Sequence, residues 1–248
     1  MRRAGWPGSL AYSVGSASNA VCPSPWRSWA RAARGAFVAQ VESKEEVMDF
    51  CELFLAQHAR AHTAEVGHPD FSNQDLILRD LTDEHLRMRP HPGLNSLAWV
   101  FWHMTRAEDV GVNLVIAQRP QVLDEDGWAM RLGVPLRDVA TGMTDQEVKE
   151  FSRQVNIVSL LAYRAAVGQQ TQATVRDLRP EVLDEEIDSN LLQQLRIAGV
   201  FGANAEWVPQ RWLGKPKGFT LTHSVLAHTY FHIGQCEDIR GLLGFRTL

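Results

Sequence analysis

The sequence predicts an all-α protein, a four-helix bundle with short accessory helices. Three observations predict this class. Apolar residues recur at helical spacing in four long segments, strand-like alternation is scarce, and no repeat period is present in the 248 residues. Long amphipathic segments joined by turns rich in Gly and Pro are typical of a bundle, in which the apolar faces meet in one core.

The first core helix is expected from about Lys44 to about His62. Ser43 and Glu46 form the S-x-x-E pattern of a capping box, and apolar residues follow them at helical spacing. After a loop, the stretch QDLILRDLTDEHLRMRP is expected to form one or two short helical turns that end before Pro90, because the residue before a proline disfavours helical geometry.

The second long helix covers SLAWVFWHMTRAEDVGVNLVIA, with Asn95 or Ser96 as its cap. Its apolar residues recur at helical spacing from position 97 to position 115. Proline and glycine residues then mark turns, so the stretch from 118 to 142 is expected to be irregular.

The third long helix follows a second capping box. Thr144 and Glu147 make this box and open a short helix, after which IVSLLAYRAAVGQQTQATVRDL continues as a long helix that stops before Pro180. Residues 181 to 219 contain several glycines and prolines, so we expect shorter helical pieces there.

The fourth long helix lies near the end of the chain. Thr220 or Thr222 can cap it, and it extends to about Leu243. Gly244 is placed to end it, because glycine readily adopts the left-handed conformation that follows many helices. This helix completes the predicted bundle.

Composition and charge point to a small-molecule role. With 45% hydrophobic and 22% charged residues, the chain has the composition of an ordinary globular protein. A net charge of -4 gives no basic field to attract a phosphate backbone, so nucleic acid is not an expected partner. No apolar run reaches the roughly 18 to 20 residues that a membrane span needs, so no membrane partner is expected.

The cysteines and the amino-terminal segment bear on compartment and domain limits. Cys22, Cys51 and Cys236 are widely spaced and odd in number, which argues against a disulfide framework and favours a cytoplasmic setting. Residues 1–42 are rich in Arg, Ser, Ala, Gly and Pro and resemble a transit peptide. We interpret them instead as a disordered or mis-started extension. The predicted domain is therefore 43–248.

The stretch VLAHTYFHIGQ, from residue 225 to residue 235, carries a candidate metal site. His228 and His232 lie one turn apart on a helix, so both rings can reach one ion. A divalent metal needs a third protein ligand, and His103 is the best candidate because it lies between Trp102 and Met104 in the second long helix. Three histidines on two helices leave coordination positions open, as in catalytic sites.

Other readings of these histidines stay open. A lone His103 in a helix is commonly a core residue that bonds a carbonyl oxygen. His58 and His62 have the same spacing as the candidate pair, but His62 lies at a helix end beside Arg60, so we interpret them as part of a solvated face. Four further histidines are interpreted as surface residues: His68, His85, His91 and His223.

Several neighbours of the candidate ligands could contact a substrate. Gln235 shares the helical face of the histidine pair and could bond a ligand or a ring. Arg106, one turn from His103, could meet an anionic group of a thiol cofactor, although an ordinary surface arginine is the stronger interpretation. Glu108 points away from the face of His103 and is a poor general base for hydrolysis. The large aromatic residues are interpreted as core packing: Trp102, Tyr230 and Phe231.

Three segments carry a resemblance to a known family. LTDEHLRMRPHPGLNSLAWVFWHMTRAEDVGVN, DEDGWAMRLGVP and LAHTYFHIGQCEDIRGLLG resemble the DinB-like superfamily of metal-binding four-helix bundles, which includes bacterial thiol S-transferases that use bacillithiol or mycothiol. The resemblance covers roughly residues 43 to 245. It implies that His103, His228 and His232 bind a divalent metal.

The metal that the resemblance implies could be zinc, nickel, iron or manganese. A metal-bound low-molecular-weight thiol would attack an electrophilic small molecule, since binding to a cation lowers the pKa of a thiol. Two alternatives remain, a metal-dependent hydrolase and a non-catalytic metal- or ligand-binding stress-response protein. Bundle proteins with apolar helix faces often pair, so a homodimer is a reasonable expectation.

Overall fold

A computed structural model describes residues 49–202 and 204–246. Within these ranges the chain is helical, and the sole β contact is an isolated bridge between Glu186 and Pro216. The predicted all-α class is thereby confirmed. The predicted extension 1–42 and the predicted capping box at Ser43 and Glu46 lie outside the described residues.

Four long segments make the bundle, and shorter helices connect them. Two of the long segments contain a stretch of π-helix, in which the backbone bonds skip one more residue than in an α-helix. In chain order the α-helices are α1 (Phe50–Ala61), α2 (Asn73–Leu78), α3 (Asp83–Arg87), α4 (Leu97–Asp109), α5 (Trp128–Arg131), α6 (Asp145–Gln154), α7 (Ile157–Asp177), α8 (Ser189–Ile197), α9 (Lys217–Phe219) and α10 (His228–Leu242). The π-helices are Val110–Ile116 and Thr220–Ala227, and the 3-10 turns are Val122–Asp124, Pro180–Asp184 and Pro209–Arg211.

Local capping explains where most helices begin. The Ser96 hydroxyl accepts the backbone N–H of Trp99, which fixes the start of α4 as predicted. The predicted capping box of Thr144 and Glu147 is present at α6. The start of α1 differs from the prediction. It begins at Phe50 rather than near Lys44, because Asp49 has extended backbone geometry and forms the capping box with Glu52.

The last long segment also begins earlier than predicted. It starts at Lys217, directly after Pro216, and runs without a break through α9, the second π-helix and α10. The predicted cap at Thr220 or Thr222 is wrong, because both residues lie inside the helical segment. The predicted end is correct, since α10 ends at Leu242 with Leu243 as its C-cap, and Gly244 follows with a φ of 88°.

The bundle packs around α4. This helix contacts α7 and α10, and α1 contacts α7 and the second π-helix. Phe101, Trp102 and Tyr163 are among the largest buried side chains of this core, and each contributes on the order of 2 kcal/mol through burial. The two π-helices also pack together, and a Cβ atom on Gly111 would lie 2.9 Å from Thr220 Cγ2. None of the described helices is both long and apolar enough to cross a membrane.

Candidate metal centre

The three histidines chosen from the sequence lie together in the structure. His228 Nε2 is 3.0 Å from His103 Nε2 and 3.1 Å from His232 Nε2. We call His103, His228 and His232 the cavity cluster. Two nitrogens that bind one tetrahedral zinc ion lie about 3.3 Å apart, as follows from bonds of about 2.05 Å. The cavity cluster therefore has the spacing of a ligand set.

The fold brings the cavity cluster together from two packed helices. His103 lies in the middle of α4, and the other two histidines lie one turn apart at the start of α10. The ring of His103 stacks on the Trp99 indole, with ring centroids 4.9 Å apart and planes 12° apart. This stacking restricts the imidazole to one orientation.

Groups behind two of the rings decide which nitrogen carries the proton. The Nδ1 of His103 lies 2.6 Å from the carbonyl oxygen of Val139, and the Nδ1 of His232 lies 2.7 Å from the amide oxygen of Gln235. Both oxygens can only accept, so both Nδ1 atoms carry the proton and donate. The two Nε2 atoms consequently present lone pairs toward His228. An acceptor behind a ring is the usual arrangement around a metal-binding histidine.

The cavity cluster has more lone pairs than protons. The Nε2 of His228 faces both other Nε2 atoms and can offer one proton to one of them. Its own Nδ1 is buried without a partner in the described part of the chain. Burial lowers the pKa of His103 to about 4 and that of His228 to about 2, and burial also lowers the pKa of His232. At neutral pH all three rings are uncharged and suited to bind a cation.

The carbonyl that orients His103 belongs to a segment clamped along α4. Three consecutive carbonyl oxygens accept hydrogen bonds from this helix. The guanidinium of Arg106 donates to the oxygen of Arg137, the Trp102 indole N–H donates to the oxygen of Asp138, and His103 donates to the oxygen of the next residue, Val139. Side chains of α4 therefore fix the position of this backbone segment, and the segment in turn orients the ring of His103.

Arg106 has neither of the roles considered from the sequence. Its side chain is fully buried, so it is not a surface arginine, and it does not line the cavity where a cofactor could meet it. It forms an ion pair of 2.9 Å with Asp109 and donates to the hydroxyl of Tyr163. Arg106 points into the bundle because polar groups there accept its hydrogen bonds. A hydropathy pattern does not reveal such buried polar groups, so the sequence did not predict this position.

The cavity cluster opens into a cavity of about 550 Å³. This volume is in the range of small-molecule sites. Phe231, interpreted from the sequence as core packing, is 74% exposed and lies at the cavity, whereas Trp102 is fully buried as expected. The other lining residues are Trp99, Ala107, Val110, Val139, Thr141, Gly142, Phe201, Trp207, Val208, Arg211, Trp212, His223, Ser224 and Ala227.

The sequence predicts a surface position for His223, and the structure places it on the cavity wall. It lies five residues before His228, a spacing that would put the two on different faces of an α-helix. The intervening segment is π-helical, and the N–H of His228 bonds back to the carbonyl oxygen of His223. With about 4.4 residues per turn, a π-helix brings positions five apart close to one face. Sequence spacing read with α-helical geometry could not find this residue.

A second histidine cluster lies in the bundle interior. His58 and His62 are 1% and 0% exposed, so the interpretation of a solvated face is wrong. Their Nε2 atoms lie 2.7 and 2.9 Å from the two carboxylate oxygens of Glu108, which also accepts from Thr171. We call His58, His62 and Glu108 the core cluster. The sequence held a signal for it, since Phe54, His58 and His62 recur every four residues.

Both clusters have ligand atoms within 4.8 Å of one another, so either could hold a metal ion by distance alone. The proton positions distinguish them. The amide of Gln172 accepts from Arg176 through Oε1 and therefore turns its NH2 group toward Nδ1 of His58. That Nδ1 must accept, so the proton lies on Nε2 and is donated to Glu108. In the core cluster the Glu108 carboxylate accepts from both Nε2 atoms, which leaves these nitrogens no lone pair for a cation.

Comparisons with known proteins agree with this architecture. A family model described as the DinB superfamily matches residues 72–236. A crystal structure described as the conserved protein of locus from Enterococcus faecalis is similar in fold, with a TM-score of 0.59 and 20% sequence identity. The match covers 80% of this chain and 99% of that chain. A comparison with curated proteins finds no match.

Proposed function

Because the chain belongs to the DinB superfamily, we propose that it is a divalent-metal-dependent thiol S-transferase. A divalent ion at the cavity cluster would supply the positive charge that lowers the pKa of a low-molecular-weight thiol and keeps it as a thiolate. The observation that carries the proposal is the arrangement of three uncharged imidazoles whose Nε2 atoms converge at the wall of an apolar cavity.

The residues of the site have separate tasks in this proposal. His103, His228 and His232 hold the ion and leave its cavity side open for the thiol. The carbonyl oxygen of Val139 and the amide oxygen of Gln235 keep two of the rings in the required tautomer. The apolar walls of the cavity exclude water and hold an organic electrophile beside the thiolate.

The cavity lining favours thiol transfer over hydrolysis. Among the described residues that line the cavity there is no Asp or Glu, so hydrolysis has no carboxylate base there. Glu108, the nearest acid along α4 to His103, is occupied by the core cluster. Metal-dependent hydrolysis is the second candidate function, and His223 is the lining residue that favours it, as an imidazole base outside the ligand set.

The ligand atoms narrow the choice of metal. Imidazole nitrogen suits zinc, iron and nickel, whereas manganese prefers oxygen ligands. The cavity cluster offers nitrogen alone, so we propose zinc, nickel or iron ahead of manganese.

The test combines metal content with a panel of thiols. We expect the purified full-length chain to contain about one divalent ion, measured by elemental analysis. We expect His228→Ala to lose the ion, and His91→Ala to keep it because His91 is exposed and outside both clusters. Undiminished metal in His228→Ala contradicts the assignment of the site.

Activity then separates the proposed reactions. We expect the loaded protein to consume a haloaromatic electrophile only when a low-molecular-weight thiol is present. Consumption without a thiol would favour the hydrolase, and a loaded protein that is inactive with every thiol would favour a metal- or ligand-binding protein without turnover. His223→Gln distinguishes the first two outcomes further, since it should abolish hydrolysis and spare thiol transfer.

A further inference from the structure

Aromatic rings form the walls of the cavity. Phe201 and Trp212 meet edge to face, with ring centroids 5.7 Å apart and planes 90° apart. Trp207 and Phe231 are 49% and 74% exposed, although both are large and apolar. Exposed aromatic side chains at the opening of a cavity mark a surface that binds a ligand with apolar area. The flat walls favour a planar ring system over a flexible chain.

The permanent charge of the cavity lining is positive. Arg211 is the single Lys or Arg among the described lining residues, and the lining contains no acid to repel an anion. Arg211 therefore provides the permanent positive charge of the protein's own lining, because a guanidinium stays protonated at any physiological pH.

Arg211, unlike Arg60 and Arg196, has no carboxylate partner among the described residues. Arg60 bonds Asp70 at 3.0 Å, and Arg196 lies 3.5 Å from Glu206. Within the described ranges no carboxylate lies within ion-pair distance of Arg211, whose guanidinium carbon instead lies 5.6 Å from the Trp207 ring centroid. A guanidinium beside an indole keeps its in-plane N–H groups available, and these fit a carboxylate or sulfonate through two parallel hydrogen bonds.

We infer that the cavity binds an aromatic organic anion, with its rings between the aromatic walls and its acidic group on Arg211. This inference rests on the proposed function, since it names the class of the electrophilic substrate at the same site. The fit is chemical and spatial: about 550 Å³ accommodates two or three fused or linked rings. This role differs from the one that the sequence suggested for Arg106, which was contact with an anionic group of a thiol cofactor.

A matched pair of fluorescent probes tests this inference on the full-length chain. The anion 8-anilinonaphthalene-1-sulfonate and the neutral N-phenyl-1-naphthylamine share one aromatic body and differ in the sulfonate. We expect the sulfonate to bind at least tenfold more tightly than the neutral probe. We expect Arg211→Gln to weaken sulfonate binding at least tenfold and to change neutral-probe binding less than twofold. Arg196→Gln, an exposed arginine outside the cavity, should change neither.

Two outcomes would overturn the inference. The first is equal sulfonate affinity in the Arg211→Gln variant and the parent chain. The second is binding of both probes that survives Ala227→Trp, a change that fills the cavity from an exposed position of its wall. Titrations with and without a chelator separate this result from the metal proposal, because a sulfonate is a poor metal ligand and its contact with Arg211 should persist in metal-free protein.

Discussion

The cavity cluster and the core cluster each contain two histidines spaced four residues apart on one helix, and the two clusters have opposite proton arrangements. Both place side chains of two long helices within ligand distance of one another. Behind the rings of the cavity cluster lie oxygens that only accept, from Val139 and Gln235. Behind His58 in the core cluster lies the NH2 group of Gln172, which donates. In the cavity cluster the Nε2 atoms of His103 and His232 therefore keep their lone pairs. In the core cluster the Nε2 atom of His58 therefore carries a proton.

This difference shows that a metal-ligand set is recognised by the hydrogen-bond partners of the ring nitrogens that face away from the site. A carboxylate between two N–H groups and a hydroxyl is a satisfied buried anion, whereas three converging lone pairs need a cation. Burial lowers the pKa of His62 to about 3, and its two histidine partners hold the pKa of Glu108 well below its usual value despite burial. The core cluster is therefore a buried carboxylate that accepts hydrogen bonds from two rings and a hydroxyl, and its expected role is to hold α1, α4 and α7 together.

The largest expected effect comes from removing the carboxylate of the core cluster. Glu108→Ala leaves two imidazole N–H groups and the Thr171 hydroxyl buried without their acceptor. We expect the free energy of unfolding to fall by about 3–5 kcal/mol, as when one partner of a buried charged network is removed. Denaturant titration of the metal-free chain measures this.

The matched control for this variant is Glu65→Ala, an exposed glutamate that should change stability by less than about 0.5 kcal/mol. Metal content sharpens the comparison. A folded Glu108→Ala protein should keep its ion, and loss of the ion together with a small stability change would mean that the core cluster is the metal site.

A smaller effect is expected from the oxygen behind His232. Gln235→Leu removes the acceptor of the Nδ1 proton and leaves the ligand itself in place. We expect metal affinity to fall about 10- to 100-fold, the usual effect of losing such a partner. Competition with a chelator measures it, and Gln193→Leu, on the exposed face of α8, is the control. Unchanged affinity in Gln235→Leu would show that the tautomer is not held by this contact.

The third expected effect concerns acid stability, and it is the smallest of the three when expressed per pH unit. His62 in the unfolded chain takes up a proton as pH falls below about 6.5, whereas the folded protein resists this until pH falls to about 3. The unfolded state binds more protons in that window, so stability falls with falling pH, by up to about 1.4 kcal/mol per pH unit for this one group.

His62→Gln removes this group, so the plot of unfolding free energy against pH should become less steep between pH 3 and 6.5 in metal-free protein. His85→Gln, a histidine outside both clusters, is the matched control. Parallel curves for His62→Gln and the parent chain would mean that His62 titrates normally in the folded state.

The sequence by itself determined the class of fold, most helix limits and the membership of the cavity cluster. These depend on short-range patterns. The caps at Ser96 and Thr144 act across three residues, and the spacing of His228 and His232 fixes a shared helical face. His103 could be chosen because a polar residue among large apolar ones in a helix is unusual.

Tertiary structure alone decided what the other polar residues do. Arg106 and the core cluster are buried because their partners arrive from helices far along the chain, and such pairings leave little periodic signal. The close packing of Gly111 against Thr220 joins the two π-helices, and the π geometry turns His223 toward the cavity. Local propensity specifies a helix, while the choice between α and π registers and the proton positions on each imidazole follow from long-range packing and hydrogen bonding.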